Sequence, residues 1–296
     1  MRWIESAGST LSGTRPILIA GPTASGKSAL AMYFADRFDG QIINADAIQV
    51  YSDWRVLTAR PSIADEKQVQ HQLYGHILGT TPYSTGQWLR EVAPLLTNKL
   101  PIIVGGTGLN FAALTEGLAD IPPTPEEIRK TANERVKTEG FRSLLAELDS
   151  RTAQQIDRNN PMRVQRAWEV LAFTGRSLFE WQSETPDPVL RPEDADKIVV
   201  CGSRENLLHR IESRFDKMLS MGVLEEAKAN ASQWQPDQPS AKAIGASELI
   251  THVKGNLSLE LAKERIVIQT RQYAKRQRSW FRGRMGTWTW IDPDNQ

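Results

Sequence analysis

Residues Gly21-Pro22-Thr23-Ala24-Ser25-Gly26-Lys27-Ser28 fit the pattern G-x-x-x-x-G-K-S/T, between the apolar run Ile17-Leu18-Ile19-Ala20 and an apolar-rich stretch from Ala29 to Phe38. Strand, glycine-rich loop and helix in that order constrain the chain more than any other feature. The N–H groups of such a loop and the positive end of the following helix together cradle a di- or triphosphate. Lys27 would neutralise phosphate charge and Ser28 would hold Mg²⁺ through its hydroxyl. Further short β-branched runs at Gln41–Ala45, Pro101–Val104 and Lys197–Gly202 alternate with helix-like text, as a parallel sheet with crossover helices requires. The expected fold class is therefore α/β, a P-loop NTPase-like parallel sheet.

From about Ile121 to Trp181 the strand signal disappears, and Val164, Ala167, Trp168 and Leu171 recur at helical spacing. Proline-rich text at Ile121–Pro125 and Thr185–Pro192 brackets this stretch, and proline does not continue a helix. The division predicted is a core over residues 1–120, an inserted all-helical domain over 121–192, and a second core part over 193–296. With 296 residues, 40% of them apolar, the chain can bury such a core.

No apolar run near the N-terminus resembles a signal peptide and none approaches the ~18 residues of a membrane span, so a cytoplasmic protein off the membrane is expected. The single cysteine, Cys201, lies in an apolar run and reads as a buried strand residue rather than a nucleophile. His71, His76, His209 and His252 are scattered, without the spacing of a structural zinc site. The formal charge of +1 conceals a cluster: eight basic residues against one acidic between Lys263 and Arg284. Leu259, Ala262, Ile266, Tyr273 and Trp280 place one apolar stripe on a long helix there, leaving cations on its other faces. Such a one-signed surface points to phosphate contact, although a solvated charged face remains the plain alternative.

Asp46 follows the Gln41–Ala45 strand, where strand ends in a doubly wound sheet line the ligand crevice. Its carboxylate is a candidate general base or metal partner, or equally a helix cap. Thr107, in Gly105-Gly106-Thr107-Gly108, is a candidate hydrogen-bonding group beside a ligand, or part of a flexible turn.

The phosphate loop, Asn44–Tyr51, Thr58–Pro61, Tyr83-Ser84, Val104–Leu109, Arg163–Gly175, Ala243–Gly245 and Thr270–Gln277 together resemble, in order and spacing, the tRNA dimethylallyltransferases. The resemblance runs from about Leu18 to Arg282. It implies a P-loop core with an inserted helical domain that grips the anticodon stem-loop. The implied reaction transfers a dimethylallyl group from dimethylallyl diphosphate to N6 of the adenosine 3′ to the anticodon, releasing pyrophosphate. Gly21, Pro22, Thr23, Ala24, Ser25, Gly26, Lys27 and Ser28 would then hold a leaving diphosphate, with Mg²⁺ on Ser28. Asp46 would accept the proton of a weakly nucleophilic amine, and Thr107 would orient the amine or the diphosphate. The resemblance assigns tRNA contact to Asp46, Ala47, Ile48, Gln49, Thr107, Arg129, Met162, Arg163, Val164, Gln165, Arg166, Lys242 and Arg265 to Thr270. Arg271, Lys275 and Arg276 continue the basic face, and a monomer is expected.

Several positions depart from the family pattern. Asn110 stands where tyrosine is usual, Ala246-Ser247 replaces another pair, and Asp149-Ser150 replaces Asp-Pro. Arg166 could be held by Glu169 instead of RNA, and Gln49 could serve a turn. Three other readings use some of the same residues: a P-loop kinase for a nucleoside or small metabolite, an adenylate isopentenyltransferase acting on free nucleotide, and a non-catalytic RNA-binding protein.

Overall fold

In a computed structural model, residues 2–9, 11–97 and 99–295 are described. Six parallel strands form one sheet in the order β3-β2-β4-β1-β5-β6. They are β1 (Ile17–Ala20), β2 (Gln41–Asn44), β3 (His71–Gln72), β4 (Pro101–Gly105), β5 (Asp196–Val200) and β6 (Thr289–Ile291). The strands β1, β2 and β4 are buried throughout, as expected where helices cover both faces. Period-two alternation divides their side chains. Ile17, Ile19, Ile42 and Ile102 pack with Leu30 and Phe34 of the helix Lys27–Arg37 on one face. Leu18, Ile43 and Ile103 pack with Trp88, Phe111 and Phe281 on the other.

Strand register decides which loops meet. Ala20 pairs with Gly105, and Asn44 with Val104, so the carboxyl ends of β1, β2 and β4 bring together the segments after each strand. Gly105 makes this approach possible: a Cβ built there would lie 2.1 Å from the Ala45 carbonyl oxygen.

The chain forms two compact units, one up to Thr115 and from Leu190 onward, the other Glu116–Val189. The prolines alone place these limits a few residues later. The difference arises because the entering and leaving segments run together, a Cβ on Gly117 falling 2.3 Å from the Pro186 carbonyl oxygen. Within the helical unit, Ala132, Leu144, Val164 and Trp168 form the core. Asn160 caps the helix Pro161–Thr174, and Gly175 ends it at φ 67°. Asp149 accepts from the Thr152 amide at 2.9 Å, so the Asp149-Ser150 departure makes an ordinary helix start.

β3 and β6 have no counterpart among the strands expected from the sequence. Each is an edge strand of two or three residues with no buried residue, so no apolar run announces it. The terminal helix Leu259–Arg284 buries Ala262, Ile266, Val267, Ala274, Gln277 and Phe281. Leu259, Tyr273 and Trp280, expected on its apolar stripe, are only partly buried.

Candidate active site

Three backbone segments converge at the carboxyl ends of the central strands. The phosphate loop turns through Ala24 at φ 60° and Gly26 at φ 93° before the helix starts at Lys27. A non-glycine residue in the left-handed region is uncommon and concentrates at functional turns. The Ser25 N–H is committed to the Pro22 carbonyl at 3.3 Å. The amides of Gly26, Lys27, Ser28 and Ala29 head the helix without an intrahelical acceptor, Leu30 being the first to bond back, to the Gly26 carbonyl. Ser25 Oγ is buried with no hydrogen-bond partner, an orphan beside the loop's interior. Gly21 and Pro22 are buried, so they shape the loop and present no side chain to a ligand.

Asp46 is held by its own neighbours. Its N–H donates to Asn44 Oδ1 at 2.8 Å, and its Oδ1 accepts from the Ile48 amide at 3.0 Å. Asn44 is buried and also donates to the Leu73 carbonyl. The carboxylate thus both caps a turn and presents Oδ2 toward Gly106, where a Cβ would approach it to 3.2 Å. Thr107 is fixed from the same side: its Oγ1 accepts from the Ala47 amide at 2.9 Å and its N–H donates to the Ala45 carbonyl at 3.2 Å.

Two cations and two phenols lie within electrostatic reach of this carboxylate. Lys27 donates to the Pro22 carbonyl at 3.3 Å. Burial pushes its ammonium down to about 8, with the Arg214 charge acting in the same direction and the Asp46 charge opposing both. Arg214, from the helix Arg204–Ser220, donates to Thr23 Oγ1 at 2.5 Å and to the Thr58 carbonyl at 3.3 Å. Burial lowers its guanidinium, and Asp46 counteracts this. Burial and, second to it, the Asp46 charge raise the phenols of Tyr74 and Tyr273. Two partly buried cations near one carboxylate are poised for an anion of more than one charge.

Arg214 and Gln277 are the groups that sequence reasoning passes over. Arg214 looks like one more helix arginine, and its role comes only from contact with a loop 191 residues away. Gln277 carries a legible signal, a polar residue on the buried stripe between Ala274 and Phe281.

The remaining candidates divide by exposure. Ala47 and Lys242 are exposed, and Ile48 packs against the cluster around Trp54. Gln49 donates to the carbonyls of Thr58 and Ala59 at 2.9 and 3.0 Å, so its amide nitrogen serves the turn and leaves only its oxygen to read a base. Arg129, Met162 and Arg163 are exposed on the helical unit. Val164 is not: it is fully buried in that unit's core, so its side chain has no route to RNA. Gln165 donates to Asn133 and Glu169, and Arg166 lies 3.9 Å from Glu169 while also bonding Thr124. On the terminal helix Arg265, Lys275 and Arg276 are exposed, and Thr270 donates to the Ile266 carbonyl. Arg271 is ion-paired with Glu212, and Lys263 with Asp216, so two of the eight cations are answered from the neighbouring helix. Asn110 is buried and accepts from Thr85, an internal bond rather than a stacking surface.

A family model described as IPP transferase matches residues 49–284. The chain is 53% identical over 288 residues to the tRNA dimethylallyltransferase of Dinoroseobacter shibae, covering 96% of this chain and 97% of that one. It is 51% identical over 288 residues to the tRNA dimethylallyltransferase of Paracoccus denitrificans, with 95% of each covered. Among solved structures it is similar to the tRNA isopentenylpyrophosphate transferase of Bacillus halodurans, at 31% identity and TM-score 0.65, covering 94% and 89% of the two chains. It is also similar to a eukaryotic dimethylallyltransferase acting on tRNA, at 26% identity and TM-score 0.75, covering 90% of this chain and 69% of that one.

Proposed function

Because this chain belongs to the IPP transferase family, we propose that it transfers a dimethylallyl group from dimethylallyl diphosphate to N6 of the adenosine 3′ to the anticodon of tRNA. The observation that carries this reading is the convergence of the phosphate loop, Asp46 and Thr107 at the carboxyl ends of adjoining strands, with Arg214 bonded to Thr23 of the loop and both Lys27 and Arg214 within electrostatic reach of Asp46.

The diphosphate lies on the amides of Gly26, Lys27 and Ser28, with the Lys27 and Arg214 charges beside it. As the allylic C–O bond breaks, its electron pair leaves with the diphosphate, and the two cations absorb the developing charge. The N6 lone pair forms the new C–N bond, and Asp46 Oδ2 takes the proton that nitrogen sheds. Thr107 Oγ1, which already accepts from Ala47, has a second lone pair that accepts the other N6–H and so orients the amine while the nitrogen lone pair stays free for attack.

The exposed Ser28 hydroxyl suits a Mg²⁺ ion shared with the diphosphate. No group of three or more His, Cys, Asp or Glu among the described residues gathers as a metal cage, and magnesium is commonly held by one or two protein oxygens together with phosphates and water. When bound, the ion neutralises leaving-group charge.

The acceptor base must leave the stacked anticodon loop, at a cost of a few kcal/mol that phosphate contacts offset. The exposed cations supply those contacts: Arg265, Lys275 and Arg276 on the terminal helix, Lys242, and Arg129 and Arg163 on the helical unit. No helix among the described residues is long and apolar enough to cross a membrane.

Pyrophosphate is expected to compete with the donor, and ATP to be turned over far more slowly than the prenyl group is transferred. Steady-state inhibition and phosphate release measure both; rapid ATP turnover would favour a kinase. Removing charge at Lys275 or Arg276 is expected to weaken tRNA binding and to flatten its salt dependence by about one unit of slope per residue. Arg271→Ala should change the slope less, because Glu212 already neutralises that guanidinium. Filter binding over a salt series separates the two.

A further inference from the structure

Gln277 is 6% exposed in the otherwise cationic run Lys275-Arg276-Gln277-Arg278 of the terminal helix. Both ends of its carboxamide are used. Oε1 accepts from the Thr23 amide at 2.9 Å, and Nε2 donates to the Gly106 carbonyl at 2.8 Å. Thr23 belongs to the phosphate loop, and its hydroxyl holds Arg214. Gly106 precedes Thr107, which in turn holds the Ala47 amide beside Asp46. One side chain therefore closes a hydrogen-bonded path from the diphosphate loop to the proton acceptor. The space is tight: a Cβ on Gly106 would fall 2.3 Å from Nε2 of Gln277 and 3.2 Å from Oδ2 of Asp46. The Tyr273 phenol, one turn earlier on the same helix, is close enough to these groups for burial and the Asp46 charge to raise it.

We propose that Gln277 is a positioning residue that sets the separation between the loop holding the diphosphate and the segments carrying Asp46 and Thr107. It thereby fixes the approach of the allylic carbon to the acceptor nitrogen, an inference that rests on the prenyl-transfer function proposed for this site. The chemistry of the side chain supports the assignment. A neutral carboxamide offers one acceptor and two donors on a rigid plane; glutamate would oppose the Gly106 carbonyl with a second acceptor, and lysine offers no acceptor for Thr23. Glutamate would also set a negative charge against both Asp46 and the diphosphate.

The test compares Gln277→Met, which keeps length without hydrogen bonds, and Gln277→Glu, which keeps shape and the acceptor for Thr23. Single-turnover transfer at saturating labelled donor and tRNA is measured beside equilibrium tRNA binding, pyrophosphate binding and the thermal midpoint. Gln277→Met is expected to slow transfer roughly 10²-fold, the effect of misplacing reactants by about 1 Å, while tRNA affinity stays within about threefold of wild type. Gln277→Glu is expected to be slow as well and to weaken pyrophosphate binding. Wild-type transfer by either folded variant, or a loss that tracks tRNA affinity and vanishes at saturation, overturns the proposal. Should Gln277→Met not fold, Gln277→Glu carries the same decision. Wild-type protein in the same assay separates the two claims: if it transfers no label to tRNA, the prenyl reading fails; if it does and the variants match it, only the positioning role fails.

Discussion

Asp46→Asn is expected to leave tRNA and donor binding nearly intact and to slow the transfer step by roughly 10²-fold or more. Asparagine keeps the size of the side chain and an oxygen that can accept from the Ile48 amide, so the turn it caps survives. What it removes is the negative charge and the second oxygen facing Gly106. Single-turnover transfer at saturating substrates reads this loss directly. Unchanged transfer with weakened tRNA binding would make Asp46 a recognition or capping residue and send the proton to water or to the diphosphate.

Lys27→Ala is expected to lower kcat/KM for the donor by roughly 10²–10³-fold, as removal of one preorganised charge-stabilising donor does. Affinity and turnover should fall together, because in the proposed mode the ammonium would touch the diphosphate both before and after the bond breaks. The same group makes donor binding sensitive to pH. Burial holds Lys27 at about 8 in the free protein, so its positive charge is present below that value and is lost as pH rises through it. Donor affinity is therefore expected to be full on the acid side and to decline above pH about 8, with a proton taken up on binding there. Calorimetry in buffers of different ionisation enthalpy measures that uptake; in Lys27→Ala the uptake should disappear.

What could be read from the chain alone was what is local. The phosphate loop, the four central strands and the long terminal helix each declare themselves within a few residues, through glycine spacing, β-branched runs or a helical period. The edge strands were not legible, because a two- or three-residue edge with no buried side chain has no pattern. Asp46 and Thr107 were ambiguous between ligand contact and turn for a physical reason: the structure shows both doing turn work, through Ile48 and Ala47, while facing the crevice. Gln277 and Arg214 act on Thr23 from 254 and 191 residues away, a relation that only the folded core creates. Val164 shows the converse. Its place in a segment assigned to RNA contact suggested an exposed residue, whereas its place in the helical period put it in the core, and the period was the better guide.

In the transfer proposed here, the phosphate loop holds a leaving group while an adenine amine in RNA receives the prenyl carbon. Incubating the purified protein with radiolabelled dimethylallyl diphosphate, Mg²⁺ and either unmodified tRNA or AMP tests it most directly. Label is expected in tRNA at N6 of the adenosine following the anticodon, with one pyrophosphate released per label, and none in AMP. Label in AMP alone, or pyrophosphate release with no labelled tRNA, would contradict it.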